Sequence, residues 1–247
     1  MEEVAGSRPV AVCFGAEDPL GLARFWATAL RWEIGEPVGD EVSLVPTDDT
    51  PVTVRFVPLT TDQTSRRRLH LDLTTASGAD QHESVEQLLA LGGSHLDVGQ
   101  SEDETHVVLA DPEGNALCIL APGNSFLAES GRLGAINCDG NRQTGVFWSA
   151  ALGWPLVWDQ DEETAIRDPF GPGPMITWSG PPLNPKAGVN RLRLEVAPRP
   201  DVASATEVDR LVALGATRVD PGPFGEGDDE ILLADPDGNE LCVLERH

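Results

Sequence analysis

Two short segments of the chain alternate leucine with charged or imidazole side chains, the kinds of group that bind or convert a polar molecule. The polar residues of the first segment are Arg68, His70 and Asp72. Those of the second segment are Arg191, Arg193 and Glu195. Since successive strand residues point to opposite faces of a sheet, each segment predicts a β-strand with one apolar and one polar face. The polar face either orients a small polar ligand or forms an ion-pair network that the protein satisfies internally.

A cysteine follows each copy of a second repeated motif, Asp-Pro-x-Gly-Asn, which begins at Asp111 and again at Asp235. Its proline and glycine predict a tight turn, and we expect the motif to serve that turn alone. The apolar residues after it predict a buried strand, which contains Cys118 in the first copy and Cys242 in the second. A thiol beside a cation or an imidazole has a lowered pKa and can act as a nucleophile, whereas a thiol in apolar surroundings only packs. Both interpretations stay open.

The elements that position these residues occur twice. Asp18-Pro19 predicts the start of a helix whose apolar stripe contains Phe25 and Trp26, and a Phe-Trp pair recurs at 147–148. The alternating strand, an Ala-Leu-Gly helix end and the Asp-Pro-x-Gly-Asn turn then follow in the same order in both halves. The sequence therefore predicts two similar domains, 8–122 and 132–247, joined by a linker at 123–131.

The composition limits the classes of partner. The chain has 41 acidic and 17 basic residues and a formal net charge of −24, so its surface repels phosphate backbones and anionic lipid. No apolar segment approaches the ~20 residues of a membrane span, and the first residues lack the pattern of a signal peptide. The cysteines are widely spaced, without a Cys-x-x-Cys pair, which is typical of reduced cysteine. We therefore expect a cytoplasmic monomer or homodimer that binds neither nucleic acid nor membranes.

Four features together resemble a glyoxalase-like domain of the vicinal oxygen chelate superfamily, which includes glyoxalase I, extradiol dioxygenases and bleomycin-resistance proteins. They are the Phe-Trp helix, the Arg-Leu-His-Leu-Asp-Leu strand, the Ala-Leu-Gly helix end and the Asp-Pro-x-Gly-Asn turn before the last strand. The resemblance implies an α+β fold with tandem duplicated domains. Each domain would contain two βαβββ modules that form a curled, cup-like mixed sheet with the helices outside. The polar strand faces would line the cups.

The resemblance also implies positions for a divalent metal, which family enzymes hold on the first and last strands of their modules. In the first domain these positions fall near Ala11, Arg55, His70 and Cys118. In the second they fall near Leu133, Thr177, Arg193 and Cys242. A catalytic metal needs about three protein ligands, and the first domain supplies only His70 and Cys118. We therefore expect no cofactor, with a divalent metal in the first domain as the alternative.

The family arrangement would place Cys118 beside His70 and Cys242 beside Arg193. We predict a small-molecule-binding protein similar to bleomycin-resistance proteins, without a complete metal site. Its predicted ligand-binding residues are Arg68, Asp72, Phe56, Arg191, Arg193, Glu195, Trp178 and Cys242, of which Phe56 and Trp178 would be aromatic pocket walls. The alternative is a glyoxalase-like lyase or a dioxygenase that acts in the first domain through His70 and Cys118, with or without a metal. Whether pockets form within or between domains stays open.

Overall fold

The computed structural model describes residues 6–59, 64–65, 68–101, 104–219 and 230–245, which form four βαβββ modules. Module 1 contains β1 (Arg8–Ala16), α1 (Pro19–Leu30), β2 (Glu33–Ile34), β3 (Val42–Val45) and β4 (Thr53–Pro58). Module 2 contains β6 (Leu69–Leu73), α2 (Gly78–Ala90), β7 (Ser94–His95), β8 (Val107–Ala110) and β9 (Ala116–Ile119). Module 3 contains β10 (Leu133–Cys138), α3 (Arg142–Leu152), β11 (Leu156–Gln160), β12 (Glu163–Ile166) and β13 (Met175–Trp178). Module 4 contains β15 (Leu192–Ala197), α4 (Ser204–Leu214), β16 (Thr217–Arg218), β17 (Glu230–Ala234) and β18 (Glu240–Leu244), and a short parallel pair joins β5 (Thr64–Ser65) to β14 (Val189–Asn190).

The modules combine into two eight-stranded mixed sheets, and each sheet takes one module from each half of the chain. The central sheet joins modules 2 and 3 in the order β11-β12-β13-β10-β6-β9-β8-β7. The terminal sheet joins modules 1 and 4 in the order β16-β17-β18-β15-β1-β4-β3-β2. The predicted α+β fold with duplicated modules is confirmed, but the two modules of one half lie in different sheets. Strand alternation fixes the face on which a residue lies and not the neighbouring strand, so the sequence left this pairing open.

The apolar faces of both sheets pack on the helices in one hydrophobic core. Helix α1 begins as predicted, with Pro19 in its first turn and the Asp18 side chain accepting a hydrogen bond from the Gly21 N–H. Phe25 and Trp26 on its apolar stripe are buried. Among the described residues, no helix combines the length and the apolar composition that crossing a membrane requires.

The Asp-Pro-x-Gly-Asn turns connect the two modules of each half, which is more than the turn role expected from the sequence. One carboxylate oxygen of Asp111 accepts backbone N–H groups within its own turn, and the other accepts the Trp26 indole N–H at 2.9 Å. Asp235 accepts the indole N–H of Trp148 on α3 at 3.2 Å. Helix and turn therefore hold together the modules of one half, while β-pairing holds together modules of different halves.

Candidate functional site in the central sheet

The polar face of the central sheet lines a cleft that consists of two adjoining cavities. Their volumes are about 410 and 380 Å³, and Asn137 lines both of them. The larger cavity contains Phe126 and Trp158, and the smaller contains His70 and Cys118. We call the two cavities together the central cleft.

His70 and Asp72 lie on the floor of this cleft because they alternate with the leucines of β6, which are buried in the core. The Nε2 atom of His70 lies 3.2 Å from Oδ1 of Asp72, and their side chains are 27% and 14% exposed. Burial opposes a positive charge on the imidazole. The negative charge and hydrogen bond of Asp72, with the charge of Asp139, outweigh that effect and raise the pKa of His70. The predicted polar face therefore contains a carboxylate and an imidazole at ion-pairing distance.

Cys118 on β9 lies directly opposite Asp72 in the parallel strand pair, so its nearest cross-strand neighbour is not His70. The side chain is buried, and burial together with the negative charge of Asp72 raises the pKa of the thiol. An activated thiolate would require the opposite shift. The structure therefore favours the interpretation of Cys118 as a protonated packing group that borders the cleft.

The opposite wall of the cleft comes from module 3. Asn137 on β10 pairs with His70 on one side and with Thr177 on β13 on the other. The hydroxyl of Thr177 is buried and has no hydrogen-bond partner among the described residues. Sequence reasoning assigned no role to Asn137 and placed the equivalent first-strand position near Leu133, which is fully buried in the core. The signal that could have identified Asn137 as a site residue is its polar side chain within the otherwise apolar strand 133–138.

The segment that the sequence predicts as a linker forms one end of the cleft. Leu127 is buried against Ala135 and Met175 of the central sheet. Beside it, the ring of Phe126 meets that of Trp158 edge to face, with centroids 6.0 Å apart. Both rings are 39% exposed, so they form an aromatic wall that a ligand can reach.

The terminal sheet has the same positions but different contents. The row His70–Asn137–Thr177 of the central sheet corresponds to Arg193–Cys13–Arg55, because Cys13 pairs with both arginines. Glu195 occupies the position of Asp72, and Cys242 lies opposite it, not beside Arg193 as expected.

These terminal-sheet groups are buried and ion-paired. Arg193 and Glu195 are each 1% exposed, and Arg193 Nη2 lies 3.9 Å from Glu195 Oε1. Nε of Arg55 donates to the same oxygen at 3.2 Å, and Nη1 of Arg55 lies 3.0 Å from Glu41. The predicted ligand-binding residues Arg193 and Glu195 thus belong to the internal ion-pair network that the sequence offered as an alternative.

Two further predicted ligand-binding residues, Arg68 and Arg191, hold the turns of the opposite halves. Arg68 is 5% exposed and donates to Asn239 Oδ1 at 2.7 Å and to the backbone carbonyl of Asp237 at 2.9 Å. Arg191 is fully buried and donates to the carboxylate of Glu113 at 2.7 Å. These contacts assign both arginines to the framework between the halves instead of to a ligand site.

The predicted aromatic walls lie in the core. Phe56 is fully buried, and its ring centroid lies 5.2 Å from that of Phe14. Trp178 is 1% exposed and stacks on Trp148 at 6.3 Å, although it also borders the larger cavity. Both side chains point to the apolar face of their strands, which is opposite to the face of Arg55 and Thr177. The exposed aromatic wall is formed by Trp158 and Phe126 instead.

Comparison with protein families matches the model of the Glyoxalase-like domain twice, over residues 11–120 and 135–244. The chain belongs to the glyoxalase-like domain family. No curated protein matches it.

Solved structures share this glyoxalase-like fold. Glyoxalase I from Zea mays superposes with a TM-score of 0.61 at 14% identity, covering 97% of this chain and 92% of that one. A suspected dioxygenase from Bacillus subtilis superposes with a TM-score of 0.58 at 13% identity, covering 99% of this chain and 86% of that one. At such identities the likeness establishes the fold alone.

Glyoxalase-like proteins often bind a divalent metal, and one group of side chains in the central cleft has suitable donors. One donor atom each of His70, Asp72 and Cys118 lies within 4.8 Å of the others. Tetrahedral zinc with nitrogen, oxygen and sulfur ligands separates them by about 3.5 Å, so small side-chain movements would suffice. Cys118 would have to lose its proton, which the raised pKa of this thiol opposes. The three residues therefore fit a metal in donor type and number, at a cost for the thiol.

Proposed function

We propose that this glyoxalase-like protein binds a small organic molecule in the central cleft. The observation that carries the proposal is the composition of the cleft: polar groups on the floor and an exposed aromatic wall at one end. A site of this size, largely preformed and with few converging polar groups, is typical of small-molecule binding.

Three polar groups support an orienting role. His70 and Asp72 are paired but still partly exposed to the cleft, and the Thr177 hydroxyl lacks a partner within the described residues. A buried polar group without a hydrogen bond costs free energy, and a ligand that supplies the missing bond recovers it. The terminal sheet does not share this role, because arginines occupy its corresponding row.

A thermal-shift screen of small molecules tests the proposal with a matched pair of variants. Asn137→Ala changes a residue that lines both cavities, and Cys13→Ala changes the equivalent position of the terminal sheet. A ligand at a hundredfold excess over its Kd stabilises by about 2.7 kcal/mol, which such a screen detects. We expect hits whose shift is reduced in Asn137→Ala and retained in Cys13→Ala, each measured against the variant's own melting temperature. Hits that lose their shift only in Cys13→Ala would contradict the location.

Metal-assisted chemistry in the same cleft is the second candidate function, because His70, Asp72 and Cys118 lie within reach of one ion. The activity would be that of a glyoxalase-like lyase or a dioxygenase. His70 and Asp72 would hold the ion, Cys118 would join them after losing its proton, and Asn137 would orient the substrate. A bound divalent metal supplies Lewis-acid polarisation of a substrate oxygen.

Metal analysis of protein purified without chelator decides between the two candidates. Stoichiometric zinc, nickel, iron or manganese that is lost in His70→Ala and Cys118→Ala but kept in Cys242→Ala would establish the metal site. Cys242 is the right control because it occupies the equivalent position of the terminal sheet, opposite Glu195. If the wild-type protein takes up none of these ions even when they are added, the metal-assisted function is excluded and the metal-free binding function remains.

A further inference from the structure

The segment between the two halves is built into the central cleft. Leu127 is 4% exposed and packs with Ala135, Ala165 and Met175 on the polar face of the central sheet. Glu129 of the same segment lies 2.7 Å from Arg167. The buried Leu127 therefore anchors the segment to the sheet, and the exposed Glu129–Arg167 ion pair adds a contact just beyond β12.

This fixed position presents Phe126 to the larger cavity. Its ring meets Trp158 edge to face at an interplanar angle of 78°, and both residues line the cavity. Trp158 is on β11, the edge strand of the sheet, so the aromatic wall joins the linker to module 3. Exposed rings that are held in place favour flat ligands, because stacking geometry adds to the burial of apolar area.

The charged residues that line the larger cavity further limit which ligands can bind there. Asp72 and Glu163 line it, and none of its described lining residues is lysine or arginine. An anionic ligand in the larger cavity would meet the Glu163 carboxylate and that of Asp72, whose ion-pair partner His70 lines the adjoining cavity, without lysine or arginine among these residues to pair with it. A neutral or positively charged ligand avoids this repulsion.

We infer that the linker residue Phe126, together with Trp158, determines specificity for ligands with a flat aromatic ring that is neutral or positively charged. This inference rests on the proposed small-molecule function of the central cleft. It assigns the selective wall to the segment that joins the two halves, and the orienting polar groups to the sheet.

Calorimetric titration with four related probes tests the inference: naphthylmethylamine, naphthylmethanol, naphthoate and the saturated decahydronaphthylmethylamine. We expect the flat amine and alcohol to bind at least about fivefold more tightly than the carboxylate and the saturated amine. Phe126→Ala should remove the preference for the flat ring. Phe170→Ala is the control, because Phe170 is 65% exposed and is not among the residues that line the cleft.

The outcomes separate the two proposals. Saturated and flat amines that bind equally, tighter binding of naphthoate, or an unchanged preference in Phe126→Ala would overturn the inference about the ring. If binding in those cases were still weakened by Asn137→Ala, the proposed function would stand. No binding of any probe at millimolar concentration would also overturn the inference about the ring, and the thermal-shift screen would then judge the function independently.

An optical measurement provides a second test. Among the six tryptophans, only Trp158 is exposed, since the other five are at most 6% exposed. Acrylamide quenching of the native protein should therefore report mainly on Trp158. Bound benzyl alcohol, a flat alcohol that does not absorb at the red edge of tryptophan excitation, should reduce this quenching, and a Trp158→Phe variant should lose the effect. Unchanged quenching at saturating probe would place the ligand away from the aromatic wall.

Discussion

The polar faces of the central and terminal sheets occupy equivalent positions of one duplicated fold, yet one lines a cleft and the other is filled with buried charges. The row of the central sheet is His70–Asn137–Thr177, whereas the row of the terminal sheet places Arg193 and Arg55 on either side of Cys13. Short side chains leave room for a ligand, and long guanidinium groups take that room and pair with Glu195. The comparison shows that long cationic side chains at two positions fill, in the terminal sheet, the space that stays open as a cleft in the central sheet.

The largest expected effect concerns stability. Glu195→Ala should lower the free energy of unfolding by about 3–5 kcal/mol, because it leaves buried arginine charge without its carboxylate. Asp72→Ala, the equivalent change in the central sheet, should cost at most about 1 kcal/mol, because its ion-pair partner His70 can lose its proton instead of keeping an unpaired charge. Urea denaturation of both variants measures the difference. Equal losses of stability would show that Glu195 and Asp72 stabilise their sheets to the same extent, which would contradict the difference between the two faces.

A transplanted arginine should abolish binding. Thr177→Arg gives the central row the residue that Arg55 provides in the terminal row, and its guanidinium should occupy the cleft beside Asp72. We expect any ligand found in the screen to bind at least about tenfold more weakly, a loss of about 1.4 kcal/mol. Titration calorimetry measures the affinity, and circular dichroism checks that the fold persists. Unchanged affinity in the folded variant would place the ligand elsewhere.

Thiol reactivity compares the two faces at Cys118 and Cys242. Burial and the neighbouring Asp72 raise the pKa of Cys118, so little thiolate is present at neutral pH. Alkylation by iodoacetamide at pH 7.5 should be at least about tenfold slower for Cys118 in the native protein than in the urea-unfolded chain. Cys242 is fully buried and should also react slowly. Peptide mass spectrometry assigns the sites, and rapid labelling of native Cys118 would restore the nucleophile hypothesis.

The smallest expected effect tests the unpaired hydroxyl of the cleft. Thr177→Val keeps the side-chain shape and removes a buried oxygen that has no hydrogen-bond partner among the described residues. Stability should rise by about 0.5–1 kcal/mol while ligand affinity falls, because the hydroxyl serves the ligand and not the fold. Thermal denaturation with and without ligand measures both changes. A loss of stability would mean that the hydroxyl already has a structural partner.

Local sequence patterns predicted the faces of the strands well. Alternation in 68–73 placed His70 and Asp72 away from the leucines that enter the core, and the repeated motifs predicted the duplicated fold. The prediction of Phe56 and Trp178 as pocket walls did not use alternation, which places both side chains on the face opposite to Arg55 and Thr177.

Local sequence patterns could not predict the contacts between segments that are distant along the chain. The pairing of β6 with β10, the position of Cys118 opposite Asp72, and the reach of Arg68 to the turn at Asp237 all depend on tertiary packing. Asn137 became part of the site only through that pairing. The predicted domain boundaries 8–122 and 132–247 stay predictions, although the two family matches fall inside them.

The route of the chain through its sheets has a consequence for synthesis. The central sheet uses strands between Leu69 and Trp178 only, whereas β1 of the terminal sheet pairs with β4 on one side and must wait for β15, which begins at Leu192, on the other. On the ribosome, one sheet can close while the other still has an open edge, since domains form as their segments emerge. We expect nascent chains arrested just after module 3 leaves the exit tunnel to protect the backbone amides of β6 and β10 from exchange, but not the β1 amides that bond to β15. The ligand cleft would then be assembled while one edge of the first strand is still without its partner.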